Sequence, residues 1–263
     1  MVVGLYYTPY LLNSLGLIAY GILPLALIIN QYISVVTQTL THSYTRFYSV
    51  AIQQDIYESA SQNISTSLIV TIILSFFIIP LGLFLALRPD DIFNIPTSLL
   101  NPAKRLFLYT IISFISSLFS SLLNVTLYAI NRLDLLNLLK IIRSFLKLAI
   151  VVLLFTYIDI DVSFVGLANL VTELLILVLS IFFFLKFKPS KVKIALKFYD
   201  KITLYAILGM SSWILIHVCG DTLLYRTDNL ILNAFWDTSA SGALGAISEI
   251  GSYITVIISV IGS

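Results

Sequence analysis

Ionisable and polar side chains within or beside apolar runs are the residues of this chain that could do chemistry. Arg226 and Asp228 lie at the end of one run, Glu249 sits inside the next, and Arg46 follows the first complete one. A guanidinium in such a place can take an anion through two parallel hydrogen bonds. A carboxylate there can hold a cation or a proton. Two polar stripes accompany them: Asn30, Ser34, Thr37, Gln38 and Thr41 recur at helical spacing, and so do Ser248, Ser252, Thr255 and Ser259. Stripes of this kind face either partner helices or a wet cavity. Taken as cavity-lining, they give the candidates Asn30, Ser34, Gln38, Arg46, Arg226, Asp228, Glu249 and Ser252.

No catalytic constellation accompanies these residues. The chain has no phosphate-cradling glycine loop, no HExxH and no cysteine–histidine metal pattern, so neither a metal nor a cofactor is expected. His42 and His217 read as polar helix residues, and Cys219, standing alone, rules out an internal disulfide. Glu173, near the middle of another apolar run, reads as half of a structural buried pair. Ser113, Ser117, Ser120 and Asn124 read as a face for close helix packing.

The elements that must hold these residues follow from composition. The chain has 263 residues, 59% hydrophobic and 11% charged, with a mean hydropathy of +1.01. A soluble domain cannot hide that much apolar surface, so the chain is a polytopic membrane protein. Spans of roughly 20 apolar residues are expected at 18–40, 64–87, 106–130, 138–158, 162–185, 202–225 and 243–261. They lack period-2 alternation and read as helices. Pro24 and Pro80 fall inside spans, where kinks are expected. Residues 1–17 read as the end of a truncated helix and its loop. Arg46, Arg132, Lys140, Arg143, Lys147 and the lysines at 186, 188, 191, 193, 197 and 201 gather on one side of the membrane. The positive-inside rule makes that side cytoplasmic, and it assigns these lysines to the membrane rather than to nucleic acid. Lys140, Arg143 and Lys147 share a helical face and are expected to snorkel to the headgroups.

The chain also repeats its beginning. Gly21 precedes Tyr32 by the same interval that separates Gly242 from Tyr253, an offset of 221 residues that also carries Gln31, Ser34 and Gln38 onto Ser252, Thr255 and Ser259. Such a repeat points to two related halves. Residues 18–190 then form a first lobe, and 191–263 form a linker and the start of the second. Two equal halves call for a protein of roughly 400–500 residues, so the chain is expected to continue at both ends.

Five stretches carry a family resemblance: YTPYLLNSLGLIAYG, THSYTRFYSVAIQQD, SASQNISTSL, LYAINRLDLLN and YRTDNLIL. Together they resemble the polysaccharide flippases of the multidrug/oligosaccharidyl-lipid/polysaccharide exporter superfamily, over essentially the whole chain. The resemblance implies an all-α fold of two six-helix lobes around a cavity lined by helices 1, 2, 7 and 8. This chain would then supply the end of helix 1 and helices 2 to 8. It further implies a multi-pass protein of the cytoplasmic membrane that moves lipid-linked oligosaccharide by alternating access. The driving force is not legible in the sequence; Asp228 and Glu249 are the candidates for a sodium or proton role. The rival readings are a cation-coupled multidrug antiporter of the same superfamily, a membrane glycosyltransferase and an inactive truncated remnant. The glycosyltransferase is disfavoured by the shortness of the acidic loops around Asp90–Asp91 and Asp159–Asp161.

Overall fold

Apolar runs that must satisfy every backbone group internally can only be helices or closed barrels in a bilayer, and the chain takes the first route. The computed structural model describes the backbone of residues 2–226, 228–236 and 238–261. It describes the side chains of all of these but 2–5, 28–34, 36, 221–226, 229–230, 234, 249–250 and 252–261. The helices are α1 (Val2–Tyr20), α2 (Ile22–Gln53), α3 (Tyr57–Leu87), α4 (Leu100–Ala129), α5 (Leu133–Tyr157), α6 (Val162–Phe187), α7 (Lys201–Arg226), α8 (Asp228–Phe235) and α9 (Thr238–Ile261). Among the described residues, four segments are long and apolar enough to cross a membrane: Tyr57–Leu87, Thr97–Ala129, Val162–Phe187 and Lys201–Gly220. Among the described residues the fold is all-α.

Several boundaries differ from the sequence expectation. The first complete span runs on to Gln53, and the next helix begins at Tyr57, not at residue 64. The polar stretch THSYTRFYSVAIQ is therefore a continuation of the helix. The segment after Arg226 forms a helix of its own, α8. Pro24 does not kink a span: it lies in the first turn of α2, after the N-cap Gly21, where a backbone donor has no partner to lose. The break falls earlier, at Gly16, whose φ of 76° lies in the left-handed region that glycine tolerates.

α4 is the centre of the lobe and packs most extensively on α6, with α2 and α3 on its other sides. Small residues make that approach possible. A Cβ on Gly166 would lie 2.9 Å from Leu106 Cδ1 and 3.1 Å from its carbonyl oxygen. Asn169 Nδ2 donates to Ser113 Oγ at 3.0 Å across the same seam. Ser113, Ser116 and Ser120 are buried there, with their hydroxyls returned to their own helix. Of the face expected to pack, Ser113 and Ser120 are buried and Ser117 is half-buried with its hydroxyl bonded to Phe114 O.

Both turns that follow α2 and α4 close in one way. Ile56 N–H bonds to Ala51 O and Asp55 N–H to Ile52 O, while Arg132 N–H bonds to Leu127 O and Asn131 N–H to Tyr128 O. These pairs form Schellman caps with Asp55 and Asn131 at φ 57° and 55°, residues that tolerate the left-handed state better than most. Arg132 then meets Asp134 at 2.9 Å and lies 5.3 Å from the centre of the Phe187 ring, tying α5 to the end of α6.

Those turns, the start of α3, the end of α6 and the start of α7 share one end of the bundle, here called the basic end. The opposite, far end holds the α1–α2 junction, the α3–α4 loop and the α5–α6 loop, where Arg105 pairs with Asp161 at 2.8 Å. Between the ends, Arg143 Nε lies 2.9 Å from Glu173 Oε1 and Nη2 donates to Oε2 at 3.1 Å. Glu173 is buried and paired, as expected, although its partner Arg143 keeps a side chain that is 40% exposed. Arg143 is bridged to it near mid-helix, so its guanidinium is held by a carboxylate rather than extended along the expected snorkelling face.

Candidate functional site

The candidate residues stand on α2, α7, α8 and α9, and the fold brings these four elements together: α2 packs on α7, α8 and α9, and α8 packs on α9. The contacts are of two kinds. Toward the basic end, hydroxyls join α2 to α7, with Ser43 Oγ and Ser211 Oγ 2.8 Å apart and Ser211 also directed at Thr39 O at 3.4 Å. At the far end, glycines bring backbones into contact.

The far-end contact is reciprocal. A Cβ on Gly242 would stand 2.8 Å from Leu17 O and 2.9 Å from Gly21 Cα, and a Cβ on Gly21 would collide with Thr238 O. Leu17 and Thr238 differ by 221 residues, as do Gly21 and Gly242. Repeat-related positions therefore meet each other, the pattern of an isologous contact about a two-fold axis. Pro24 and Gly245, again 221 apart, touch as well, with a Cβ on Gly245 falling on Pro24 Cγ. The α3–α4 loop adds a second tie at this end. Asn94 N–H donates to Asn233 Oδ1 and Asn94 Nδ2 donates to Trp236 O, both at 3.0 Å.

Three of the eight candidates have described side chains. Gln38 is exposed midway along α2, Arg46 is exposed near its basic end, and Asp228 is exposed in the first turn of α8, where a negative charge suits the helix dipole. The side chains of Asn30 and Ser34 on α2, Arg226 on α7, and Glu249 and Ser252 on α9 lie outside the described residues. Their helices do converge. The two arginines do not share a depth. Measured from the Ser43–Ser211 contact, Arg46 is three residues toward the basic end and Arg226 fifteen toward the far end, an axial separation of roughly 27 Å at 1.5 Å per residue. One phosphate cannot touch both at once.

The α2 stripe divides between neighbours. Thr37 and Thr41 turn toward α3 and α4 and, with Leu40, Tyr44, Thr71, Leu74 and Leu118, line a cleft of about 10 Å³, the size of one water. Thr39 and Ser43 meet α7. Sequence reasoning passed over Ser43, Ser211 and the glycine pair as contact residues. The glycine pair had a signal in its repeat-related spacing, whereas Ser43 and Ser211, 168 residues apart, had none. Among the described residues, no group of three His, Cys, Asp or Glu side chains could hold a metal ion.

No family model matches the chain. The uncharacterized membrane protein EpsK of Bacillus subtilis (strain 168) is 26% identical over 242 residues, 92% of this chain. Those residues are 48% of EpsK, so the chain spans about half the length of the curated relative it matches. In three dimensions it resembles a solved multidrug resistance MATE family transporter of the MOP superfamily in an inward-facing conformation. The TM-score is 0.72 at 16% identity, over 93% of this chain and 60% of that one. A second solved chain, described only as protein A, gives a TM-score of 0.72 at 16% identity over 97% of this chain and 57% of its own. This is a multi-pass helical membrane protein whose fold resembles that of a MATE transporter.

Proposed function

We propose that the chain belongs to a transporter that flips lipid-linked oligosaccharide across the cytoplasmic membrane by alternating access. The observation that carries the reading is the placement of an arginine toward each end of the α2–α7 pair, Arg46 exposed near the basic end and Arg226 at the end of α7. A phosphate or pyrophosphate head is best taken by a guanidinium, which offers it two parallel donors. Sites roughly 27 Å apart suit a head group met first on one side and released from the other. The glycan would follow the polar faces of α2 and α9, with Asn30, Ser34, Gln38 and Ser252 as hydrogen-bonding groups, while the lipid tail stays in the bilayer. Asp228 and Glu249 are the carboxylates proposed to carry a coupling proton or sodium ion.

A second reading, export of cationic drugs, draws on the description of the solved neighbour as a multidrug resistance transporter. The two readings ask for opposite charge in the path. Proteoliposomes of the full-length protein separate them: the proposal expects outward movement of a fluorescent polyprenyl-pyrophosphate oligosaccharide and no uptake of ethidium driven by a cation gradient. Ethidium transport without glycolipid movement would overturn it.

A further inference from the structure

The segment joining the two lobes is not a loose tether. Lys193 N–H donates to Ser61 Oγ at 3.0 Å, Ala195 N–H to Ser65 Oγ at 3.3 Å and Asp200 N–H to Thr66 Oγ1 at 3.1 Å. Three hydroxyls on the first turns of α3 thus hold the segment's backbone, and Val192 is fully buried in the cluster that contains Tyr44, Tyr48, Phe184 and Ile207. These bonds make the segment a strap of defined shape.

The outward face of this strap alternates two chemistries. Lys191, Lys193, Lys197 and Lys201 are exposed. Between them Ile194 is 40%, Leu196 80% and Tyr199 38% exposed. Six lysines lie between positions 186 and 201 against one acidic residue, Asp200. That carboxylate is already engaged, accepting from Thr203 N–H and Oγ1, each at 2.8 Å, bonds that hold it below the usual carboxylate range. At the start of α3, Asp55 is bonded to Tyr57 and Glu58 is exposed in the first turn. Lys191 lies 4.9 Å from the centre of the Tyr57 ring, and Lys188 Nζ donates to Val192 O at 3.1 Å, so part of the charge is fixed in position.

Depth decides what meets this face. α3 has 31 residues, about 46 Å of helix against a hydrocarbon layer of about 30 Å. Its first ten or so residues, which carry the strap, therefore stand at headgroup level. Cations interleaved with exposed aliphatic side chains at that level match a surface that is anionic above and apolar beneath. We propose that the strap is a binding platform for anionic phospholipid, with the lysine ammonium groups on the headgroup phosphates and Ile194 and Leu196 in the acyl boundary. This is independent of what the protein transports.

The test compares lipid binding to the full-length protein in neutral detergent, read by native mass spectrometry and by the thermal midpoint. Phosphatidylglycerol and phosphatidylcholine are the two lipids. Phosphatidylglycerol is expected to bind in preference and to raise the midpoint. Each exposed lysine contributes about fivefold near an anionic surface, so Lys193→Gln/Lys197→Gln/Lys201→Gln should weaken phosphatidylglycerol binding about a hundredfold. Leu196→Ser should weaken it further, and Arg88→Gln/Lys104→Gln at the far end should leave it unchanged. Glycerol phosphate, which lacks the acyl chains, should not compete at equal concentration. Wild-type affinity in the triple variant, equal affinity for the two lipids, or full competition by glycerol phosphate would each overturn the proposal.

Discussion

Replacing Gly242 with alanine puts a Cβ 2.8 Å from Leu17 O, 2.9 Å from Gly21 Cα and 3.1 Å from Gly21 N. These are backbone atoms and cannot swing aside, so α9 and the α1–α2 junction must separate by roughly 0.5–1 Å to restore ordinary van der Waals distances. Overpacking of this kind costs about 1–3 kcal/mol. Alanine returns about 1 kcal/mol over glycine through helix propensity, leaving a net loss of about 0–2 kcal/mol. Gly209 on α7 is the control, because a Cβ there meets nothing within 4 Å and only the propensity gain remains. The two alanine variants should therefore shift the thermal midpoint of the purified full-length protein in opposite directions at one detergent and scan rate. Gly21→Ala, whose Cβ would collide with Thr238 O, should match Gly242→Ala in sign, and the double variant should cost less than the two together because one separation relieves both. A Gly242→Ala midpoint as high as that of Gly209→Ala would refute the close contact and with it the two-fold pairing of the repeat.

Two other outcomes follow from the ion pair and the lysine distribution. Arg143→Leu should destabilise more than Arg143→Leu/Glu173→Leu, since the single change strands a carboxylate whose side chain is 10% exposed. The Arg143 side chain is 40% exposed, so the difference should fall below the ~3–5 kcal/mol of a fully buried pair. Equal losses in unfolding experiments on the two variants would remove the pair from the account. In a Cys219→Ser background, an impermeant thiol reagent should label Ser98→Cys from outside intact cells and miss Ser190→Cys, both positions being exposed. The reverse pattern would invert the membrane orientation.

Hydrophobicity made the helices legible because each apolar run must bury its backbone bonds within itself. It misplaced their ends because a hydropathy pattern sees the bilayer and not the helix: α2 continues for thirteen residues past Leu40 on polar sequence. The repeat was legible from Gly21, Gly242 and the tyrosines that follow them, but the contact between those glycines was not. Spacing along one chain says which positions are equivalent, and only the fold says that the axis passes between them. The α2 stripe shows the same limit. Periodicity put Thr37, Gln38 and Thr41 on a polar face, yet Thr37 and Thr41 turn to α3 and α4, Gln38 is exposed, and their neighbours Thr39 and Ser43 turn to α7. Ser61, Ser65 and Thr66 looked like an ordinary polar helix start because the backbone they bind lies about 130 residues away.

The transport proposal is tested most directly at Arg226. In the full-length protein, Arg226→Ala should abolish movement of lipid-linked oligosaccharide in reconstituted vesicles while leaving membrane insertion and abundance intact. Arg226→Lys should restore it only in part, since an ammonium replaces a planar fork by a point charge. Ser117→Ala, on the α4 packing face, should leave the rate near wild type. Wild-type glycolipid movement by Arg226→Ala at normal abundance would contradict the account and return Arg226 to the role of a solvated charge at a helix end.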